Sequence, residues 1–135
     1  MLIQAGLADW DTRILGTDFS SQVAERARFG KYLQIEVNRG LPASLPVRHF
    51  QRIDSDWQLS DTIGRMVTFD TIDLRKPMSA LGPFDLVFCR NVMIYFDVAT
   101  RKSLLRELHG TLVRGRWLLL AESRPPSDAR AGLTD

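Results

Sequence analysis

The stretch "FDLVFCRNVMIYFD", Phe84–Asp97, begins as a buried strand and changes character at residues 90 and 91. Phe84 to Cys89 is an apolar run with one charge, Asp85. Arg90 and Asn91 follow together, and a second apolar run containing Tyr95 comes after them. A short continuous apolar run is the form of a parallel strand covered on both faces. Such a strand has no packing reason to end in an arginine and an amide.

The neighbouring segments supply the context. Thr100–Leu112 has helical periodicity, with Leu104, Leu105, Leu108 and Leu112 along one stripe. "VRGR" turns the chain, and "WLLLAES", Trp117–Ser123, is another buried strand. Upstream, "RILGTD", Arg13–Asp18, predicts a short strand. Ser20 or Ser21 then caps a helix to about Phe29, with Val23, Ala24 and Ala27 facing inward. Met1–Leu7 reads as the end of a helix that closes near Ala8–Asp11, and Asn38–Pro46, punctuated by Gly40, Pro42 and Pro46, reads as a connection. Phe50–Ile53, Trp57–Leu59 and Arg65–Phe69 are separated by "DSD" and "SDTIG", which predicts a small antiparallel meander leading into a strand at Met66–Ile72. The whole predicts an α/β fold with a mainly parallel sheet. The domain is expected to span residues 1–124, with the β insertion at about 47–66 and a loose tail at 125–135.

Composition narrows the class. A chain of 135 residues with 44% apolar and 25% charged residues has the make-up of one globular domain. No apolar run reaches the ~20 residues of a bilayer span, so no membrane insertion is expected. The start lacks a signal peptide's basic region and cleavage site. Cys89 is the single cysteine, and His49 and His109 have no partner spacing, so neither a disulfide nor a metal site is expected. A reducing cytoplasm is the default location. Eighteen basic and sixteen acidic residues are mixed along the chain, too balanced for nucleic-acid binding. Arg26, Arg28 and Lys31 read as a solvated helix face.

In an open α/β sheet, ligands bind beyond the carboxyl ends of the strands. The first strand delivers Asp18 there, the second Asp73 and Leu74, the third Arg90 and Asn91. A carboxylate such as Asp18 can accept from both hydroxyls of a ribose. Asp73 can accept from an exocyclic amine such as that of adenine, Leu74 can offer its backbone N–H to a ring nitrogen, and Asn91 can both donate and accept. Together they describe a nucleoside pocket. Each residue also has a plainer reading. Asp18 alone reads first as an Asx turn ahead of Ser20. Asp73 can be a polar loop residue, and Arg90 can pair with Asp85 or Asp97. Tyr95 reads as a core aromatic and Cys89 as a small buried residue. Glu122, at the end of the last strand, is a weak candidate. The coincidence of three polar strand exits is what favours a site.

The segments "ILGTDFS", "EVNRGLP", "VTFDTIDL", "GPFDLVFCRNVMIYFD" and "LLLAES" resemble, in order and spacing, the CheR-type chemotaxis methyltransferases, which use S-adenosylmethionine to methylate protein glutamates. The resemblance covers Arg13–Ser123. It implies a partial doubly wound, Rossmann-like methyltransferase domain with a small antiparallel β insertion, chemoreceptors as partners and S-adenosylhomocysteine as product. It further implies that Asp18 holds the cofactor ribose, that Asp73 and Leu74 stand at the adenine, and that Arg90 and Asn91 contact the cofactor. Tyr95, with Arg90, would position the substrate at the methyl group. The family usually has Asn where Asp73 stands. Nothing before Arg13 resembles the family's first strand and its acidic, glycine-containing loop. The expectation is therefore a sheet with open interior edges, possible self-association through them, and no catalysis by this chain alone. The alternative is a non-catalytic module that binds receptors or other proteins.

Overall fold

The structure, a computed structural model, describes residues 2–7, 10–42 and 44–121. The chain divides into two compact units, Met1–Asp73 and Leu74–Asp135. The expected tail at 125–135 and Glu122 lie outside the described residues.

The first unit is built on a parallel pair, β1 (Ile14–Asp18) and β5 (Val67–Thr71), with Ile14 opposite Val67 and Asp18 opposite Thr71. Gly16 lies opposite Phe69, and a Cβ added there would come within 2.7 Å of the Phe69 ring, so the ring occupies space that only glycine leaves open. Helix α1 (Ser21–Phe29) starts where Ser20 accepts from the Val23 amide and ends at Gly30 in the left-handed region, φ 61°. Ala24 is its buried residue; Val23, expected inside, is 51% exposed. The basic residues of the last turn are not merely solvated. Arg28 donates from Nε and Nη2 to the Phe69 carbonyl at 3.0 and 2.6 Å, tying α1 to β5. Arg26 donates to Glu36 Oε2 at 2.8 Å, and the same oxygen accepts from the Leu33 amide at 2.8 Å.

That carboxylate closes the first turn of α2 (Gln34–Gly40), which follows β2 (Lys31–Leu33). Helix α3 (Ser44–His49), strands β3 (Phe50–Ile53) and β4 (Asp56–Leu59), and the helical turn α4 (Asp61–Gly64) complete the unit. The antiparallel insertion is present as a three-stranded sheet in the order β2-β4-β3, with Lys31 and Gln51 both opposite Gln58. Its third strand, β2, comes from before the stretch read as a meander. Three hydrogen bonds fasten it locally: Leu59 N to Gly30 O at 2.8 Å, Gln58 Nε2 to Phe29 O at 2.8 Å, and Trp57 Nε1 to Gln34 Oε1 at 2.8 Å. Residues 38–46 were expected to connect, yet most of them are helical; Pro46 stands in the first turn of α3, where a missing N–H costs no intrahelical bond. Residues 2–6 form turns rather than a helix end, with Gly6 at φ 75°.

The second unit is one β-α-β crossover. Strand β6 (Phe84–Arg90) pairs in parallel with β7 (Leu112–Ala121), joined by a 3₁₀ turn (Met93–Tyr95) and α5 (Val98–Thr111). "VRGR" does not close a turn before the strand. Phe84 pairs with Leu112 and Leu86 with Trp117, so Val113–Arg116 bulge out of the ladder around Gly115 at φ 79°. Met78, Cys89, Met93, Leu104 and Leu108 form the core, with Leu74, Val87, Leu105 and Leu118 packed against it. The opposite face is bare. Leu86, Phe88, Trp117 and Leu119, paired in register, are 45–70% exposed. The expectation that β6 is covered on both faces is therefore met on one face only among the described residues. Likewise, β1 pairs only with β5 and β6 only with β7 among those residues, as expected of open edges.

The core of the second unit centres on Leu104, 1% exposed. Leu104→Ala is expected to cost about 2–5 kcal/mol, and Leu105→Ala, at a half-buried position, clearly less; urea denaturation followed by circular dichroism checks the ranking.

Candidate functional site

Asp18 and Asp73 belong to the first unit. Asp18 ends β1 with its side chain exposed, and Oδ1 accepts from the Ser20 amide at 2.8 Å, so the Asx turn read from the sequence is present. The turn engages one oxygen and no hydrogen bond to Oδ2 occurs among the described residues, so Oδ2 keeps acceptor capacity. The Asp18 carbonyl accepts from Ile72 N at 2.9 Å, one residue before Asp73. Parallel pairing thus brings these two exits side by side.

Leu74, Arg90, Asn91 and Tyr95 belong to the second unit. Leu74 is half-buried against the Met78–Cys89–Met93 cluster, the same core that supports the end of β6. Asn91 takes the left-handed conformation, φ 55°, and its amide donates to Ala121 O at 2.8 Å. Asparagine tolerates that region better than most side chains, which lets the strand end abruptly and turn its next residues aside. Arg90 is exposed and makes no ion pair among the described residues. Its two expected partners are engaged elsewhere: Asp85 pairs with Arg116 at 3.0 Å, and Asp97 caps α5. The plainer reading of Arg90 therefore does not hold. Nor does that of Tyr95, which is 79% exposed while Met93, two residues earlier, is 5% exposed and anchors the turn. Cys89 is buried, as read.

A hollow of 490 Å³ lies elsewhere in the first unit, where Phe29, Gln58, Leu59, Arg65 and Phe69 are among its walls, and it contains none of these six residues. Among the described residues no group of His, Cys, Asp or Glu is placed to hold a metal, and no helix is long and apolar enough to cross a membrane.

The order of chemistry along the chain matches a known pattern. Residues 1–125 match the family model described as "CheR methyltransferase, SAM binding domain". The chain belongs to the CheR methyltransferase family. Its fold is accordingly the Rossmann-like methyltransferase fold, of which both units show the parallel pairing. Chemotaxis protein methyltransferase 1 of Pseudomonas aeruginosa is 35% identical over 112 residues, covering 82% of this chain and 41% of the relative. Chemotaxis protein methyltransferase Cher2 of Pseudomonas putida is 34% identical over 124 residues, covering 91% of this chain and 44% of the relative. The probable biofilm formation methyltransferase WspC of P. aeruginosa is 34% identical over 109 residues, 79% of this chain and 26% of the relative. The chain thus spans less than half the length of these relatives.

The family is named for binding S-adenosylmethionine, and the chemistry of the residues at the strand ends is compatible with such a ligand. Asp18 has an exposed oxygen outside its turn, Asn91 stands at a strand exit in the left-handed conformation, and the Leu74 side chain packs against the core. The motif also contains a residue whose part sequence reading missed. Asp97, considered only as a partner for Arg90, accepts from the Thr100 amide at 2.7 Å and starts α5. Its position three residues ahead of Thr100, before an amphipathic run, was the available signal.

The hydrogen bond from the Thr100 backbone, helped by the Thr100 side chain, holds the Asp97 carboxyl below the usual aspartate range. A carboxyl whose folded value is lowered stabilises fully above its unfolded value of about 3.9 and loses that contribution as pH falls through the folded value. Asp97→Ala is expected to melt below the parent at pH 7, with the gap closing as the pH falls through the lowered folded value of Asp97. Asp97→Asn, which keeps a capping oxygen, should melt close to the parent at pH 7. Thermal melts across pH check both.

Proposed function

We propose that this chain supplies the cofactor-binding part of an enzyme that transfers a methyl group from S-adenosylmethionine to glutamate side chains of chemoreceptors. The observation that carries the reading is the run Arg90–Tyr95, where an apolar strand ends in a guanidinium with no ion pair among the described residues, a left-handed asparagine and an outward tyrosine. Family membership supports the cofactor, and the relatives' names support the chemotaxis setting.

In this reading Asp18 accepts from the ribose hydroxyls, Asp73 accepts from the adenine amine, and the Leu74 N–H donates to a ring nitrogen. Arg90 and Asn91 hold the amino-acid end of the cofactor, whose sulfonium supplies an electrophilic methyl group. Aspartate at position 73 keeps the acceptor that the family's asparagine provides and adds a negative charge beside the adenine. A glutamate substrate has an unperturbed pKa of about 4.3 and is ionised at neutral pH, so no general base is needed. What remains is alignment: one carboxylate oxygen in line with the methyl carbon, with water excluded. Tyr95 and Arg90 orient that carboxylate by hydrogen bonding and charge, and no proton moves.

A second reading has a specific observation behind it. The β2-β4-β3 sheet is fully formed and leaves β2 and β3 as edges, the geometry that accepts an added peptide strand. A non-catalytic module would keep this sheet and lose transfer.

Asp18→Ala is expected to weaken cofactor binding by about 10- to 100-fold, the value of a hydrogen bond to a charged group. In the enzyme to which this chain contributes, Tyr95→Phe should lower the transfer rate about tenfold while leaving cofactor affinity unchanged. Calorimetry with S-adenosylhomocysteine and transfer of labelled methyl groups to receptor cytoplasmic fragments measure the two separately. Retention of receptor fragments without transfer would favour the binding module.

A further inference from the structure

The segment Leu74–Pro83, between β5 and β6, has no regular structure, yet it is tightly held. Three of its side chains turn into the core: Leu74 and Leu81 pack against the cluster, and Met78 belongs to it at 3% exposure. The Leu81 amide donates to the Met78 carbonyl at 2.9 Å. At the far end, a Cβ on Gly82 would come within 2.7 Å of the Thr111 carbonyl, so the segment runs directly against the end of α5.

Burying Met78 takes its backbone N–H out of water, and no regular element offers it a partner. The partner is a side chain: Glu107 Oε2, from α5, accepts from Met78 N at 2.9 Å in a partly buried setting. Glu107 makes no ion pair among the described residues, and the functional reading above gives it no part. A carboxylate on an amide is a charge-assisted bond, stronger than the amide–carbonyl bonds of an ordinary turn. It fixes the middle of the segment at a point four residues from Leu74.

We propose that Glu107 is a positioning residue for adenine recognition: by holding Met78 to α5, it sets where the Leu74 backbone N–H points. The inference rests on the reading that Leu74 donates to the adenine ring. Glu107 itself touches no cofactor atom. Its effect should therefore appear only in the part of the affinity that depends on the ring nitrogen facing Leu74.

The test is calorimetric titration of the full chain with S-adenosylhomocysteine and with its 1-deaza analogue, in which a ring nitrogen able to accept becomes CH. For the parent, the analogue should bind roughly tenfold more weakly. Glu107→Ala should weaken S-adenosylhomocysteine by roughly tenfold and leave the analogue's affinity nearly unchanged, because the contact it lacks is the one lost. Glu107→Gln, whose amide oxygen can still accept from Met78, should restore most of the difference. Equal losses for both ligands would mean general loosening and overturn the proposal, as would no loss for either. If Glu107→Ala does not fold, Glu107→Asp, one methylene short of Met78, must show the same split between ligands. Should the parent bind S-adenosylhomocysteine and the analogue equally, the Leu74 reading itself fails, before any substitution is made.

Discussion

Parallel strand pairing is the constraint on which this protein's chemistry depends. When two strands run the same way, their carboxyl ends emerge at the same edge, and whatever the sequence places just past each strand is presented together. Asp18 lies opposite Thr71, and the next ladder bond joins its carbonyl to Ile72, directly before Asp73. In the second unit Arg90 lies opposite Ala121, and the final bond runs from Asn91 to that same residue. Strands β6 and β7 are largely apolar, whereas β1 and β5 mix apolar and polar residues. The polar residues at their ends are what the proposed function rests on.

Each unit secures those exits by a long side chain reaching to main-chain atoms. Arg28 grips the Phe69 carbonyl two residues before the end of β5, and Glu107 grips the Met78 amide in the segment that follows it. Asp97 performs a related task, fixing the start of α5 immediately after the outward-facing Tyr95. The uncovered parts of the fold are equally informative. Leu86, Phe88, Trp117 and Leu119 form an exposed apolar block on a sheet type that is normally buried on both faces, and β1 and β6 each pair along one edge among the described residues. Both features agree with a chain that matches well under half the length of its relatives.

Much of this was legible in the residues. Local signals were reliable: the Ser20 cap, the closing Gly30, the apolar run of β6 and the Leu104–Leu108 stripe each depend on neighbours in sequence. What could not be read depends on partners far away. Strand β2 is only Lys31–Leu33 and exists because β4 pairs with it. Arg28 looked like a solvated charge because its acceptor lies 41 residues on. Tyr95 looked like core because apolar neighbours surround it, whereas the 3₁₀ turn sends Met93 inward and the tyrosine out. For the candidate site, residues could be named from the sequence but their orientation could not: neither the exposure of Arg90, which makes no ion pair among the described residues, nor the left-handed Asn91 is written in the local pattern.

The central claim is that residues just past the strand ends, proposed above as cofactor contacts, bind an adenosyl ligand. Hydrogen exchange of the full chain with and without S-adenosylhomocysteine addresses it most directly, with mass-spectrometric readout of peptides spanning Asp18–Phe19, Asp73–Leu74 and Arg90–Asn91. The account predicts that these peptides slow when the ligand is present, while the β3–β4 hairpin is unchanged. No protection of any of the three at saturating ligand would contradict it.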